Sequence, residues 1–206
     1  MIALKAPTKG TKIHEEPLVQ IIEDVLTLDE CYYIISIAQP HLKPAFVAGA
    51  EGNKKSDGRT GKVHWIKHNT SPEITEIVNR VSDIVGFPAS YAESIQVVYY
   101  GETQQYKPHF DAFDLDTEKG KKITGESGQR LATALLYLNE VEGGGGTTFP
   151  KVEKQVSPKP GRAVVFHNCY EGTNKRHPKS LHGGMPVEKG EKWACNLWYR
   201  ERPLKK

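Results

Sequence analysis

The sequence predicts a mainly β fold with N-terminal helices (α+β), in which two helices precede eight strands. Helical periodicity occurs in only two stretches, both before residue 87. From residue 94 onward the chain breaks into short runs rich in β-branched and aromatic residues, separated by Gly, Pro, Asn and Asp. Runs of that length and spacing belong to an antiparallel sandwich or small barrel.

Residues 1–18 are polar, with Pro7, Gly10 and Pro17, and read as a lead-in arm to a single domain over 19–206. Val19 to Val25 is the first strand. Thr27-Leu28-Asp29-Glu30 has the capping-box pattern, so a helix follows through Cys31 to Ala38 and stops at Pro40. A short strand is expected near Phe46-Val47. Gly49 to Gly61, rich in Gly, Lys, Asp and Ser, reads as a mobile loop, and Val63 to Ile66 resumes a strand. Ser71-Pro72 opens the second helix. Ile74, Ile77, Val78, Val81, Ile84 and Val85 recur at helical spacing, and Gly86 ends it. No further helix is evident. Strands are expected at Ser94–Tyr100, Tyr106–Phe110, Arg130–Leu138, Thr147–Phe149, Gln155–Pro158, Arg162–His167, Ser180–His182 and Trp193–Arg200, with Asp114 to Gly128 a charged rim insertion.

Charge is balanced, with 28 basic against 25 acidic residues in a chain of 206. No long basic run occurs, so nucleic acid is not expected as a partner. No apolar segment approaches a membrane span and no signal-peptide core is present, which predicts no membrane association and a cytoplasmic, bacterial or viral type of protein. Cys31, Cys169 and Cys195 are odd in number and far apart, which fits buried thiols in a reducing compartment. Oligomeric state is not legible.

Chemistry concentrates in Tyr106-Lys107-Pro108-His109-Phe110-Asp111 and in the stretch from His182 to Lys192. Side chains alternate across a strand, so His109 and Asp111 share a face. A third ligand, His182, completes a two-histidine, one-carboxylate triad of the kind that leaves positions open on a non-haem iron. A hairpin centred near Val187 would set Lys192 opposite His182. Along the last strand Lys192, Ala194, Asn196, Trp198 and Arg200 share one face, suited to a wet cavity; Trp193, Cys195, Leu197 and Tyr199 share the other, suited to the core. A lysine on the cavity face would hold an anion. The remaining histidines have no partner at ligand spacing and read as surface or structural.

Four longer strings share one pattern: Tyr-x-x-x-x-Gln-Tyr-x-x-His-x-Asp at 100–111, Arg-Leu-Ala-Thr-Ala-Leu-Leu-Tyr-Leu-Asn at 130–139, Gly-Gly-x-Thr-x-Phe-Pro at 144–150, and His-Gly-Gly-x-Pro-Val with Gly-x-Lys-Trp-x-x-x-x-Trp at 182–198. Together they resemble the prolyl 4-hydroxylases among the iron(II) and 2-oxoglutarate dependent dioxygenases. The resemblance implies a double-stranded β-helix (jelly roll) with two helices packed on one sheet. It implies that His109, Asp111 and His182 hold Fe(II), that Lys192, Thr147 and Tyr100 hold 2-oxoglutarate, and that ascorbate is the reductant. It implies that Tyr106, Arg130 and Trp198 face a proline-containing peptide or protein, and that Arg59 and Thr60 belong to a loop that closes over it. Gly146 stands where the family usually has an acidic residue, and Arg200 where some members have histidine.

The activity so implied is peptidyl-proline 4-hydroxylation with O2 and 2-oxoglutarate, releasing succinate and CO2. Three other readings compete: a 2-oxoglutarate oxygenase acting on another side chain or a small molecule, a catalytically silent peptide-binding jelly roll, and a zinc hydrolase. The intact triad with Lys192 disfavours the silent form, and the lack of a general base beside the ligands disfavours the hydrolase.

Overall fold

The two expected helices form where their caps place them. In a computed structural model describing residues 7, 9–45, 47–49, 52–54 and 58–204 (backbone only for 47–49 and 52–54), α1 spans Leu28–Ala38 and α2 spans Pro72–Val85. Thr27 Oγ1 accepts from the Glu30 amide and the Glu30 carboxylate accepts from the Thr27 amide, the reciprocal capping box. Ser71 caps α2, Pro72 supplies its first turn, and Gly86 ends it at φ +79°, a conformation other residues adopt at a cost.

Among the described residues there are sixteen strands: β1 (Thr11–His14), β2 (Val19–Ile22), β3 (Lys43–Pro44), β4 (Val47–Gly49), β5 (Gly52–Lys54), β6 (Lys62–Ile66), β7 (Ile95–Tyr100), β8 (Tyr106–His109), β9 (Arg130–Tyr137), β10 (Gly143–Gly144), β11 (Thr147–Phe149), β12 (Lys154–Val156), β13 (Ala163–His167), β14 (His182–Gly184), β15 (Val187–Lys189) and β16 (Lys192–Arg200). A major antiparallel sheet runs β1-β2-β13-β9-β16-β7-β6-β3, and a minor one runs β12-β11-β14-β8. Together they make the expected jelly roll, with both helices on the outer face of the major sheet.

Alternation along each central strand divides the interior into two cores. Val97, Leu136, Val165, Cys195, Leu197 and Tyr199 point outward to α1 and α2, joining Ile34, Ile74, Ile77 and Val81. Val98, Tyr137, Val164, Phe166 and Ala194 point inward against Phe149, Val156 and Val187. The face assignment of β16 therefore holds residue by residue. No helix among the described residues is long and apolar enough to cross a membrane.

Several expectations are corrected. Residues 11–14, read as part of the lead-in, pair with β2 as an edge strand. Part of the expected Gly49–Gly61 loop is regular, because β4 and β5 form a hairpin; Phe46 lies outside the described residues. A third helix, α3 (Glu118–Thr124), occupies the insertion, capped by Thr117. It escapes periodicity because it is seven residues long and Ile123 is its one large apolar side chain. Ser180 closes a 3₁₀ turn, so the strand begins at His182 instead of ending there. The hairpin about Val187 does not exist. β14 pairs with β8 and β11, β15 pairs with β10, and β16 lies in the other sheet, so His182 and Lys192 approach across the sandwich.

Ile74→Ala should lower unfolding free energy by about 2–5 kcal/mol, because it leaves a void between α2 and the major sheet. Leu28→Ala, at a site 58% exposed on α1, should stay within about 0.5 kcal/mol. Urea titration of both variants checks the helix orientation; equal losses would contradict it.

Candidate active site

The site begins with strand pairing. β8 and β14 are antiparallel neighbours whose register sets His109 directly opposite His182, and their ring centroids lie 4.5 Å apart. Such close approach requires glycine next door. A Cβ on Gly183 would stand 3.0 Å from Pro108 N and Tyr106 O, tighter than ordinary contact. Asp111 follows just past the end of β8 and returns its carboxylate to the same place, with Oδ1 3.7 Å from His109 Nε2 and Oδ2 3.4 Å from His182 Nε2. One ligand atom from each of the three residues falls within 4.8 Å of the others, so the group could hold a metal ion.

The surroundings prepare these atoms. His109 Nδ1–H donates to Lys107 O at 3.0 Å and His182 Nδ1–H to Ser180 O at 2.9 Å. A carbonyl can only accept, so each Nδ1 carries a proton and each Nε2 is turned toward Asp111. Burial, then the neighbouring His182, pushes His109 well below its ordinary pKa, so the ring is neutral as a ligand must be. Burial alone would raise Asp111. The imidazoles of His182 and His109, the Arg130 guanidinium and a hydrogen bond from Thr133 outweigh it and hold the carboxyl below its usual range. Thr133 Oγ1 donates to Asp111 Oδ2 at 2.7 Å and accepts from Asn168 Nδ2 at 2.9 Å. Sequence reasoning passes over both Thr133 and Asn168; the signal available is a small hydroxyl residue two positions before Leu135 on the inward face of β9.

Across the sandwich a narrow inner pocket of about 40 Å³ runs from the triad to Lys192, with Tyr100, Thr147, Leu135 and Asn196 in its walls. Lys192 is 3% exposed, and burial drops its ammonium to about 7. No carboxylate of the described residues pairs with it. Thr147 Oγ1 is already held by Tyr137 OH at 2.6 Å, a partner that spacing does not disclose. A buried, unpaired cation at the end of a slot that opens on a candidate metal centre is the donor set a dicarboxylate needs.

Outside the triad lies a cleft of about 840 Å³. Tyr106 stacks on His109 at 3.5 Å between centroids, and Arg59 covers Tyr106 at 4.7 Å while donating to Gln96 Oε1 at 2.8 Å. Thr60 bonds the backbone of Gln105, so the Arg59–Thr60 segment is tied to the approach to β8. Arg130 lies 3.7 Å over the Trp198 ring and makes a two-bonded pair with Glu93, both contacts 2.7 Å. Its carboxylate partner thus comes from the segment before β7 and not from the 114–128 insertion. Glu93 stands just before β7, and burial pushes it up less than Arg130 and Arg200 pull it down. The Trp198 Nε1–H and the Arg59 Nε–H are buried donors without an acceptor among the described residues.

With this geometry in place, the comparisons with known proteins are decisive. Residues 95–200 match the model of the 2OG-Fe(II) oxygenase superfamily, a span holding the whole triad and Lys192. The chain is 33% identical to a probable prolyl 4-hydroxylase 10 of Arabidopsis thaliana over 92% of this chain and 71% of that one. The chain belongs to the 2OG-Fe(II) oxygenases, in their prolyl 4-hydroxylase family. This oxygenase is also 34% identical to a putative prolyl 4-hydroxylase of Acanthamoeba polyphaga mimivirus, over 88% of this chain and 74% of the relative. Among solved structures it is similar to the viral collagen prolyl hydroxylase of Paramecium bursaria chlorella virus-1 in complex with 2OG. That likeness has a TM-score of 0.71 at 28% identity and covers 88% of this chain and 95% of the other.

Thr133→Val should leave the fold intact and weaken metal binding about 10- to 100-fold, because the Asp111 carboxylate loses the donor that orients it. Cobalt(II) titration of the metal-free oxygenase measures this. Unchanged affinity would mean that Thr133 does not support the triad.

Proposed function

We propose that this oxygenase is a peptidyl-proline 4-hydroxylase in which His109, Asp111 and His182 hold Fe(II) and Lys192 anchors 2-oxoglutarate. One observation carries the reading above all: the pre-oriented triad opens onto a slot whose far end is a buried lysine with no counter-charge. When bound, iron and 2-oxoglutarate with dioxygen supply the oxidising chemistry that places one oxygen atom on the prolyl ring and the other in succinate, with loss of CO2. The protein's share is binding, orientation and exclusion of water.

Lys192 meets the distal carboxylate of the cosubstrate, and Thr147 and Tyr100 border it. Tyr106 and Trp198 offer aromatic faces to a prolyl ring on either side of the Arg59 and Arg130 guanidiniums. The unpartnered Trp198 Nε1–H and Arg59 Nε–H are donors for peptide carbonyls, which a polyproline II segment leaves unbonded. Such a segment arrives already extended and loses little entropy on binding. Ascorbate serves as the reductant after turnovers not coupled to hydroxylation.

Lys192 makes cosubstrate binding pH-dependent with a definite sign. Its folded pKa, about 7, lies below the ordinary lysine value, so above pH 7 the free protein holds it neutral. Binding a carboxylate then requires proton uptake. Apparent 2-oxoglutarate affinity should therefore fall as pH rises above about 7, approaching tenfold per unit. Lys192→Met should lose about 30-fold or more in affinity and flatten that slope, in line with about 2–5 kcal/mol for removing one partner of a desolvated pair. Isothermal titration of the Mn(II)-loaded protein, from about one unit below to two units above that pKa, reads both.

Mass spectrometry tests the substrate. Proline-rich peptides should gain one oxygen on the prolyl ring, whereas the same peptides with alanine for proline, and free L-proline, should not. Equal oxidation of free proline or of the alanine peptides would assign this chain to another branch of the oxygenases.

A further inference from the structure

The insertion between β8 and β9 forms part of the cleft wall, and its side chains have no part in holding metal or cosubstrate. Residues 114–128 close on themselves at Gly120, where any Cβ would collide with the Asp114 carbonyl. Three arginines from neighbouring segments then tie the loop down. Arg200 donates to Ile123 O at 3.4 Å and Thr124 O at 3.1 Å. Arg202 donates to Glu126 O at 2.6 Å and Gly125 O at 3.2 Å, and Arg176 pairs with Asp114 at 3.0 Å. A backbone held at both ends presents Ile123, 37% exposed, to the cleft.

Ile123 does not stand alone. Arg200, which holds its carbonyl, lies 5.4 Å from the Phe113 ring; Arg130 lies 5.2 Å from the same ring and 3.7 Å from Trp198. Ile123, Phe113 and Trp198 thus border one side of the cleft. Phe113 follows Asp111 by two residues, so their Cα atoms are at most about 7 Å apart. A polyproline II peptide advances about 3.1 Å per residue, so the Phe113 end of this wall stands about two residues from Asp111. Beneath the wall lie the guanidiniums of Arg130 and Arg200, which share Glu93, with the Asp111 carboxylate also near Arg130. An apolar wall with guanidiniums behind it accepts an aliphatic side chain and offers a lysine ammonium no carboxylate that is not already engaged.

We propose that Ile123, which lines the same cleft as Phe113, is the specificity-determining contact for the residue beside the hydroxylated proline, and that this residue is apolar. The inference rests on the prolyl-peptide reading above. The test is a peptide panel with one target proline and either leucine or lysine at each flanking position, with kcat/KM taken from prolyl oxygen gain. The leucine peptide at the responsive position should exceed its lysine counterpart by about tenfold or more. Ile123→Asp should cut that ratio at least fivefold, while Lys122→Asp, the neighbouring exposed residue, should retain it. Each ratio compares two peptides on one preparation, so partial unfolding cancels. Equal kcat/KM for leucine and lysine peptides at both positions, or an unchanged ratio in Ile123→Asp, overturns this inference alone. No hydroxylation of any peptide in the panel overturns the prolyl reading, and this inference with it.

Discussion

Everything in the site depends on keeping one carboxylate ionised where water cannot reach it. Asp111 is 6% exposed, and an isolated carboxylate at that depth would protonate or destabilise the fold by several kcal/mol. It stays ionised because Thr133 donates to it and the Arg130 guanidinium lies near it. That requirement fixes other choices. β8 and β14 must pair in the register that opposes His109 and His182, and Gly183 must lack a side chain for the strands to approach. Asn168 must hold Thr133 from behind.

The second charge, Lys192, is treated in the opposite way. Asp111 is surrounded by groups that favour its charged form, whereas Lys192 is left without an anion and loses proton affinity as a result. A protein that only needed stability would replace such a lysine with an apolar residue. Its retention at the end of a slot lined by Tyr100 and Thr147 makes sense if a ligand brings the missing charge. The two sheets divide this work. The minor sheet carries the histidines and the major sheet carries the lysine, and the gap between them is the slot.

Much of this is legible in the sequence because it follows from period and caps. Thr27, Ser71 and Gly86 bound the helices, and alternation along β16 is enough to sort Lys192 and Trp198 from Trp193 and Tyr199. The His-x-Asp pair and the distal histidine are readable as ligand types. What is not legible lies in contacts without a local signature. The chain passes from the minor to the major sheet between Gly184 and Lys192, and a Gly-Gly turn followed by Pro-Val looks locally like a hairpin. α3 is too short for periodicity. Thr133, Asn168, Tyr137 and Glu93 act through partners between 10 and 107 residues away, which spacing alone does not disclose.

The distribution of these surprises has a physical cause. Reaction chemistry demands fixed distances, and regular strands supply them, so the triad and Lys192 sit on or beside β8, β14 and β16, where period-2 reading works. Substrate selection tolerates variation, and loops supply it. In this chain the loop is not left free: Arg200, Arg202 and Arg176 convert the insertion into a firm wall by bonding its backbone carbonyls and its Asp114. Arg200 also shares Glu93 with Arg130, so the same carboxylate that orients the arginine on Trp198 helps position the wall holding Ile123. A change in the insertion is thereby felt at the aromatic face beside the His109–Asp111–His182 triad. A change at Asp111 or Lys192 need not be felt in the insertion, since Asp111 is held by Thr133 of β9 and Lys192 faces the inner slot. Selectivity can therefore drift through the loop while the strands that carry the chemistry stay as they are.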